Sequence, residues 1–243
     1  MLGRWMASLF SFVSIVTLTH QSLAQDKPSS EAEYKPTKAT IEAGGIGVAG
    51  VDATGAGTSG GGGYAGAAYW IAGKVPIFAR YTVSASTLVD RIGRPAGGTP
   101  IDTPETAVRH TIDLGVGYRL DLTHGDGVVW VLPHLGPRAM FLVDSLAPLW
   151  AFELGGGLRA GLTVRHKFEL SGLIAYDVAV VKTDAPRTVY GAPLGELRFG
   201  GEIAVHPTEP FALTLGYEGI QLSLDHKPMY FHQILGGVAV RFD

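Results

Sequence analysis

From Thr40 to the C-terminus, apolar and polar residues exchange places at every second position in one segment after another, the period of extended strands with two unlike faces. The clearest segment is 108–122. Val108, Ile112, Leu114, Val116, Tyr118, Leu120 and Leu122 share one face with His110, while Arg109, Asp113, Gly115, Gly117, Arg119 and Asp121 share the other. The same division recurs in 150–164, where Trp150, Phe152, Leu154, Leu158, Leu162 and Val164 oppose Glu153, Gly155, Gly157, Arg159 and Thr163. Two further copies set Phe168, Leu170, Ile174, Tyr176 and Val178 against Glu169, Ser171 and Asp177, and Leu197, Phe199, Ile203 and Val205 against Glu196, Arg198, Gly200 and Glu202. Weaker segments at 40–52, 63–72, 76–88, 128–144, 211–223 and 229–242 bring the number of predicted strands to about ten, with eight as the near alternative. The glycine pair Gly44-Gly45 reads as a bulge where the phase slips.

Each segment is near or above the ~9–11 residues that a tilted transmembrane strand requires. Short connections near 73–75, 123–127, 165–166 and 207–210 alternate with longer ones near 53–62, 91–105 and 183–193, although those near 145–149 and 225–228 are short. Tight turns on one side and long loops on the other is the outer-membrane arrangement, with turns and both termini periplasmic.

Alternation alone does not say which face is inside, because a soluble lipocalin-like barrel alternates too. Lysine placement favours the membrane. All seven lysines (Lys27, Lys35, Lys38, Lys74, Lys167, Lys182, Lys227) fall in the leader region, in turns or at strand ends, whereas a solvated sheet face would use lysine mid-strand. The apolar face is free of charge through its middle, and its aromatics, among them Trp150, Phe152, Phe168, Phe211, Tyr230 and Phe242, lie toward strand ends where interfacial girdles belong. Beyond the leader no apolar stretch is long and uniform enough for a membrane helix, so a spanning chain must close into a barrel to satisfy its backbone.

Residues 1–24 have the form of a signal peptide. Arg4 supplies the charge, Ala7–Leu18 the apolar run, and Ser22-Leu23-Ala24 a small-x-small cleavage site. Residues 25–38 are polar and Pro-containing and read as a flexible periplasmic tether, leaving 39–243 for the barrel. With no cysteine there is no disulfide, thiolate metal site or cysteine nucleophile. A net charge of −3 without a basic cluster argues against nucleic acid.

On these features the chain resembles small bacterial outer-membrane barrels, the group that includes the membrane domain of OmpA-like proteins. The resemblance covers about residues 39–243 and includes a final strand, Ile234-Leu235-Gly236-Gly237-Val238-Ala239-Val240-Arg241-Phe242, that alternates toward an aromatic. In that group such a strand is the signal presented to the barrel-assembly machinery. Here Asp243 follows the phenylalanine, a departure from the usual pattern. The resemblance implies an outer-membrane location and lipid around the barrel, and names no external ligand.

The inward phase collects acidic Glu42, Asp113, Asp121, Glu153, Glu169, Asp177, Glu196, Glu202 and Glu218 with basic Arg80, Arg119, Arg138, Arg159, Arg198 and Arg241, joined by His134. A barrel this small has a lumen just wide enough for side chains to fill. Charges there must pair or carry a heavy desolvation cost. The expected result is a salt-bridged plug with a structural or surface-interaction role; a narrow ion path lined by the same groups is the competitor. A rim hydrolase would need a Ser/His or Asp/His constellation at the loops. Ser223, Asp225, His226 and His232 are the candidates, and they read better as ordinary loop polar residues, since neighbours on an extended chain point to opposite faces. The glycine run 53–63 lacks the Lys-Ser/Thr of a phosphate-binding loop, and with 94–100 it reads as an external loop. No enzyme activity, cofactor or metal is expected.

Overall fold

The computed structural model describes residues 37–51, 57–91, 102–143, 149–183, 192–225 and 228–242. The signal segment, nearly all of the tether, the start of the glycine run (53–56) and the 94–100 loop lie outside the described residues.

Alternation becomes ten long antiparallel strands, each hydrogen-bonded to the next in sequence. They are β1 (Ala39–Val51), β2 (Gly57–Ile71), β3 (Val75–Arg91), β4 (Asp102–Gly117), β5 (Gly127–Val143), β6 (Leu149–Val164), β7 (Phe168–Lys182), β8 (Pro193–Thr208), β9 (Phe211–Leu224) and β10 (Met229–Phe242). A two-residue stretch, Leu120–Asp121, carries the line of β4 on against β5. β1 pairs with both β2 and β10, so the sheet closes into a barrel and no edge is left open.

Closure fixes the stagger of the strands. Partners traced once around the wall run from Ala39 through Tyr69, Ile77, Val116, Leu135, Gly156, Tyr176, Leu197, Gln221 and Tyr230 to Val51. The path returns to β1 twelve residues (51 − 39) nearer the loop end. A line of hydrogen bonds therefore climbs about 1.2 residues per strand as it passes from β1 toward β10.

Turns at one end are tight. Ala72 and Gly73 join β2 to β3, and Arg165 and His166 join β6 to β7, all four with positive φ. Such φ values suit a two-residue hairpin because they follow the twist of the strands.

The apolar face points outward. Ile41, Ile112, Leu114, Leu154, Ile174, Leu213, Leu215 and Ile234 are all exposed, while their sequence neighbours Glu42, Asp113, Glu153 and Thr214 face in. This is the reverse of a soluble ligand-binding barrel, and it places an apolar surface where lipid would be.

Gly44-Gly45 is not a bulge. β1 runs in continuous register with both neighbours, and the irregularities lie at Phe152/Glu153, Phe211/Leu213 and Ser223/Leu224. The apparent phase slip arises because Ile41 faces out whereas Ile46 and Val48 face in, toward an apolar cluster in the loop half of the lumen. At the seam between β1 and β10, Gly44 and Gly45 stand opposite Gly237 and Gly236. A Cβ on Gly44 would come within 2.6 Å of Tyr64 Cε1 and 2.8 Å of Gly237 Cα, so the ring of Tyr64 uses the space that glycine leaves.

Candidate functional site

The lumen is layered along its axis. At the loop end Met140 and Leu142 from β5, Leu149 from β6, Leu222 from β9, and Met229 and Phe231 from β10 form one buried apolar cluster, with Thr58 and Ser86 also facing in at that end. These side chains come from strands on opposite sides of the wall. They pack because inward positions of a narrow barrel converge.

Next comes a layer of charge. Arg138 on β5 is 3% exposed and gathers three carboxylates: Asp113 Oδ1 at 2.8 Å, Glu196 Oε1 at 2.7 Å and Glu153 Oε2 at 3.7 Å. Arg198 on β8 holds Asp177 at 2.9 Å and Asp113 at 3.3 Å, with Glu218 at 4.0 Å. Arg109 on β4 donates to Glu196 on β8, and its guanidinium lies 5.8 Å from the centre of the Phe231 ring on β10. β4 and β8 are four strands apart, so this bond passes through the barrel interior. Glu153 and Glu196 are both wholly buried. Burying ions costs several kcal/mol each unless partners surround them, which the alternation of signs across neighbouring strands supplies.

Toward the turn end the pairs are more open. Arg159 meets Glu202 at 2.9 Å, Arg241 meets Glu169 at 3.4 Å, and Arg80 lies 3.8 Å from Glu42 with its guanidinium 4.4 Å over Tyr64. Arg119 bonds Asp121 at 2.8 Å beside Trp130. His134 faces in and meets Phe78 edge-on at 5.8 Å.

All sixteen charged or polar residues that alternation assigns to the lumen (Glu42, Arg80, Asp113, Arg119, Asp121, His134, Arg138, Glu153, Arg159, Glu169, Asp177, Glu196, Arg198, Glu202, Glu218 and Arg241) thus lie along the inner wall, in several separate groups rather than one network. Arg109, which alternation puts on the polar face but which the charge set omits, is central. A small cavity of about 20 Å³, space for about one water molecule, lies within this layer, lined by Arg80, Arg109, Asp113, Arg138, Arg198 and Glu218 among others.

The rim candidates are not brought together. Asp225 accepts a hydrogen bond from the Ala192 N–H at 3.3 Å, Ser223 faces outward, and His232 faces outward with Nδ1 2.7 Å from the Tyr217 hydroxyl. His226 lies outside the described residues. Among the described residues no group of three His, Asp or Glu is placed to hold a metal ion.

No known protein family matches the chain, and no curated protein is detectably similar to it. Among solved structures it is similar to an outer-membrane channel from Pseudomonas putida, with 11% identity, 89% of this chain and 100% of that one covered, and a TM-score of 0.48. It is similar to the beta domain of the Bordetella autotransporter BrkA at 12% identity, with 84% and 100% covered and a TM-score of 0.46. Neisserial surface protein A is 12% identical, with 84% and 97% covered and a TM-score of 0.43. What makes this chain a closed ten-stranded barrel of the transmembrane kind is its own hydrogen-bonded closure, its apolar outer face and its charged inner one.

Proposed function

We propose that this protein is a bacterial outer-membrane barrel whose lumen is plugged by its own side chains, and that it serves a structural or surface-interaction role rather than the passage of solutes. The observation that carries the reading is the stacking of two cross-lumen layers. Met140, Leu142, Leu149, Leu222 and Met229 are buried at the loop end, and beneath them Arg109 bonds across the interior to Glu196. An ion passing down the lumen from the loop end would meet this apolar cluster before the charge layer of Arg138 and Glu196. Lipid surrounds the outer face, the C-terminal strand β10 is the element offered to the assembly machinery, and chemistry at the rim is not part of this role.

Two measurements test it. Heat-modifiable gel mobility of the protein in the outer-membrane fraction tests the closed membrane barrel; a soluble periplasmic protein would refute it. Planar-bilayer recording tests the plug. The expected trace shows no stable unitary conductance, and reproducible unitary steps from the unmodified chain would replace the plugged reading with a narrow pore.

A further inference from the structure

On the outward face, two tyrosine–histidine pairs repeat one geometry. Tyr81 Oη lies 2.7 Å from His110 Nδ1, with ring centroids 6.1 Å apart and an interplanar angle of 28°. Tyr217 Oη lies 2.7 Å from His232 Nδ1, with centroids 6.0 Å apart and an angle of 23°. In each hairpin the tyrosine stands opposite an isoleucine, Ile112 or Ile234, and the histidine sits two positions from that isoleucine toward the loop end.

The two pairs also share a level. Partners traced from His110 through Val83, Gly63 and Gly45 reach Gly236, and over those four steps the line descends about five residues toward the turns. His232 lies four positions (236 − 232) back toward the loops, within about a residue of His110 in height. From His232 to Phe242 is ten positions on one strand (242 − 232), about 33 Å along the strand at ~3.3 Å per residue and about 25 Å along the normal at a tilt of ~40°. That is the height of the apolar band of an outer-membrane barrel.

Among the described residues, the outward face turnward of this level carries apolar residues, glycine, proline and tyrosine. Loopward, on β2, β3, β4 and β9 beside the pairs, it includes Ser59, Thr87, Thr106, Gln221 and Ser223, whereas β5, β6 and β7 keep Phe141, Val143, Trp150 and Val181 outward there. On their own side of the wall the pairs therefore stand where polar outward residues begin, the level that lipid headgroups would take. Between them the wall is smooth, with Gly45, Gly47, Gly61, Gly63 and Ala65 facing out, so acyl chains can lie against the backbone between two ridges of rings.

We propose that each Tyr–His pair is a contact site for the phosphate of a membrane lipid. The phenol donates to Nδ1, which fixes the ring and puts the proton on Nε2. Nε2–H then donates to a phosphate oxygen. The tyrosine is a positioning residue and the histidine the contact. This rests on the outer face being lipid-facing.

The test is NMR of ring-labelled histidine in the full chain folded in maltoside micelles. It is titrated in turn with a short-chain phosphatidic acid, a diacylglycerol of the same chains, and inorganic phosphate. The expected result is saturable shifts of the His110 and His232 signals with phosphatidic acid alone. Tyr81→Phe and Tyr217→Phe should each weaken the affinity of their own pair by about tenfold, the loss of one ordering hydrogen bond beside a charged group, and leave the other pair unchanged. An equal response to diacylglycerol, or no saturable shift, would overturn the proposal. A response matched by inorganic phosphate would overturn the lipid as its source. A chain that stays folded and soluble without detergent would instead overturn the membrane reading beneath it, a failure distinguishable before any titration.

Discussion

Arg109 on β4 and Glu196 on β8 are hydrogen-bonded through the middle of the barrel, although three strands of wall, β5, β6 and β7, lie between them on the shorter side. Glu196 also receives Arg138 at 2.7 Å and lies 3.9 Å from Arg198 Nε. One carboxylate therefore ties three guanidiniums from three strands, and the cross-section of the barrel at that level depends on it.

Replacing Glu196 by glutamine should lower stability by about 3–5 kcal/mol, because it leaves buried cations without their counter-charge. Glu202→Gln, whose partner Arg159 is 36% exposed, should cost less than about 1 kcal/mol. Urea unfolding in lipid vesicles, followed by tryptophan fluorescence, compares the two; equal midpoints would mean that the inner charge layer does not support the fold.

Met140→Ala and Leu222→Ala each remove a fully buried side chain from the loop-end cluster and should cost about 2–5 kcal/mol. If that cluster is the seal, the double variant conducts where the parent does not. Bilayer recordings of the parent, both singles and the double decide the matter.

At the seam, Gly44→Ala should destabilise by about 1–3 kcal/mol, because its methyl meets Tyr64 and the β10 backbone. Gly47→Ala, with nothing within 4 Å of its Cβ, should stay within about 0.5 kcal/mol of the parent. The midpoint temperature of heat-modified gel mobility reads both.

Leu215→Arg, in the middle of the outer face, should cost about 2–4 kcal/mol in a bilayer, against about 0–1 for Ile71→Arg at the turn end. Comparable folding of the two in vesicles would argue that lipid does not cover the face.

The strands easiest to read in sequence, β4, β6, β7 and β8, have inward positions that are charged or small along most of their length, so the contrast between faces stays high. β1, β5, β9 and β10 read weakly for a physical reason. Each sends inward-facing apolar residues (Ile46 and Val48; Met140 and Leu142; Ile220 and Leu222; Met229 and Phe231) into the loop-end cluster, so both faces are apolar there and the period fades. The same residues imitate a phase slip at Gly44-Gly45. Face assignment yields the lumen charges but not their partners, because pairing runs across the barrel: nothing local connects position 109 with 196, and only closure and stagger do. The Tyr–His pairs escape for a related reason, since each lies diagonally across two strands.

The glycine seam bears on how the chain gets into a membrane. Until β1 meets β10 both are sticky borders able to zip onto a neighbouring molecule. Gly44 and Gly45 on one border, and Gly236 and Gly237 on the other, have no rotamers to freeze as the borders meet. The closed seam is held there by backbone bonds, with the Tyr64 ring packed against Gly44 and Gly237. Glycine gives up more backbone freedom on ordering than any other residue, so closing this seam carries an entropic cost that the Tyr64 ring packed against it helps to offset.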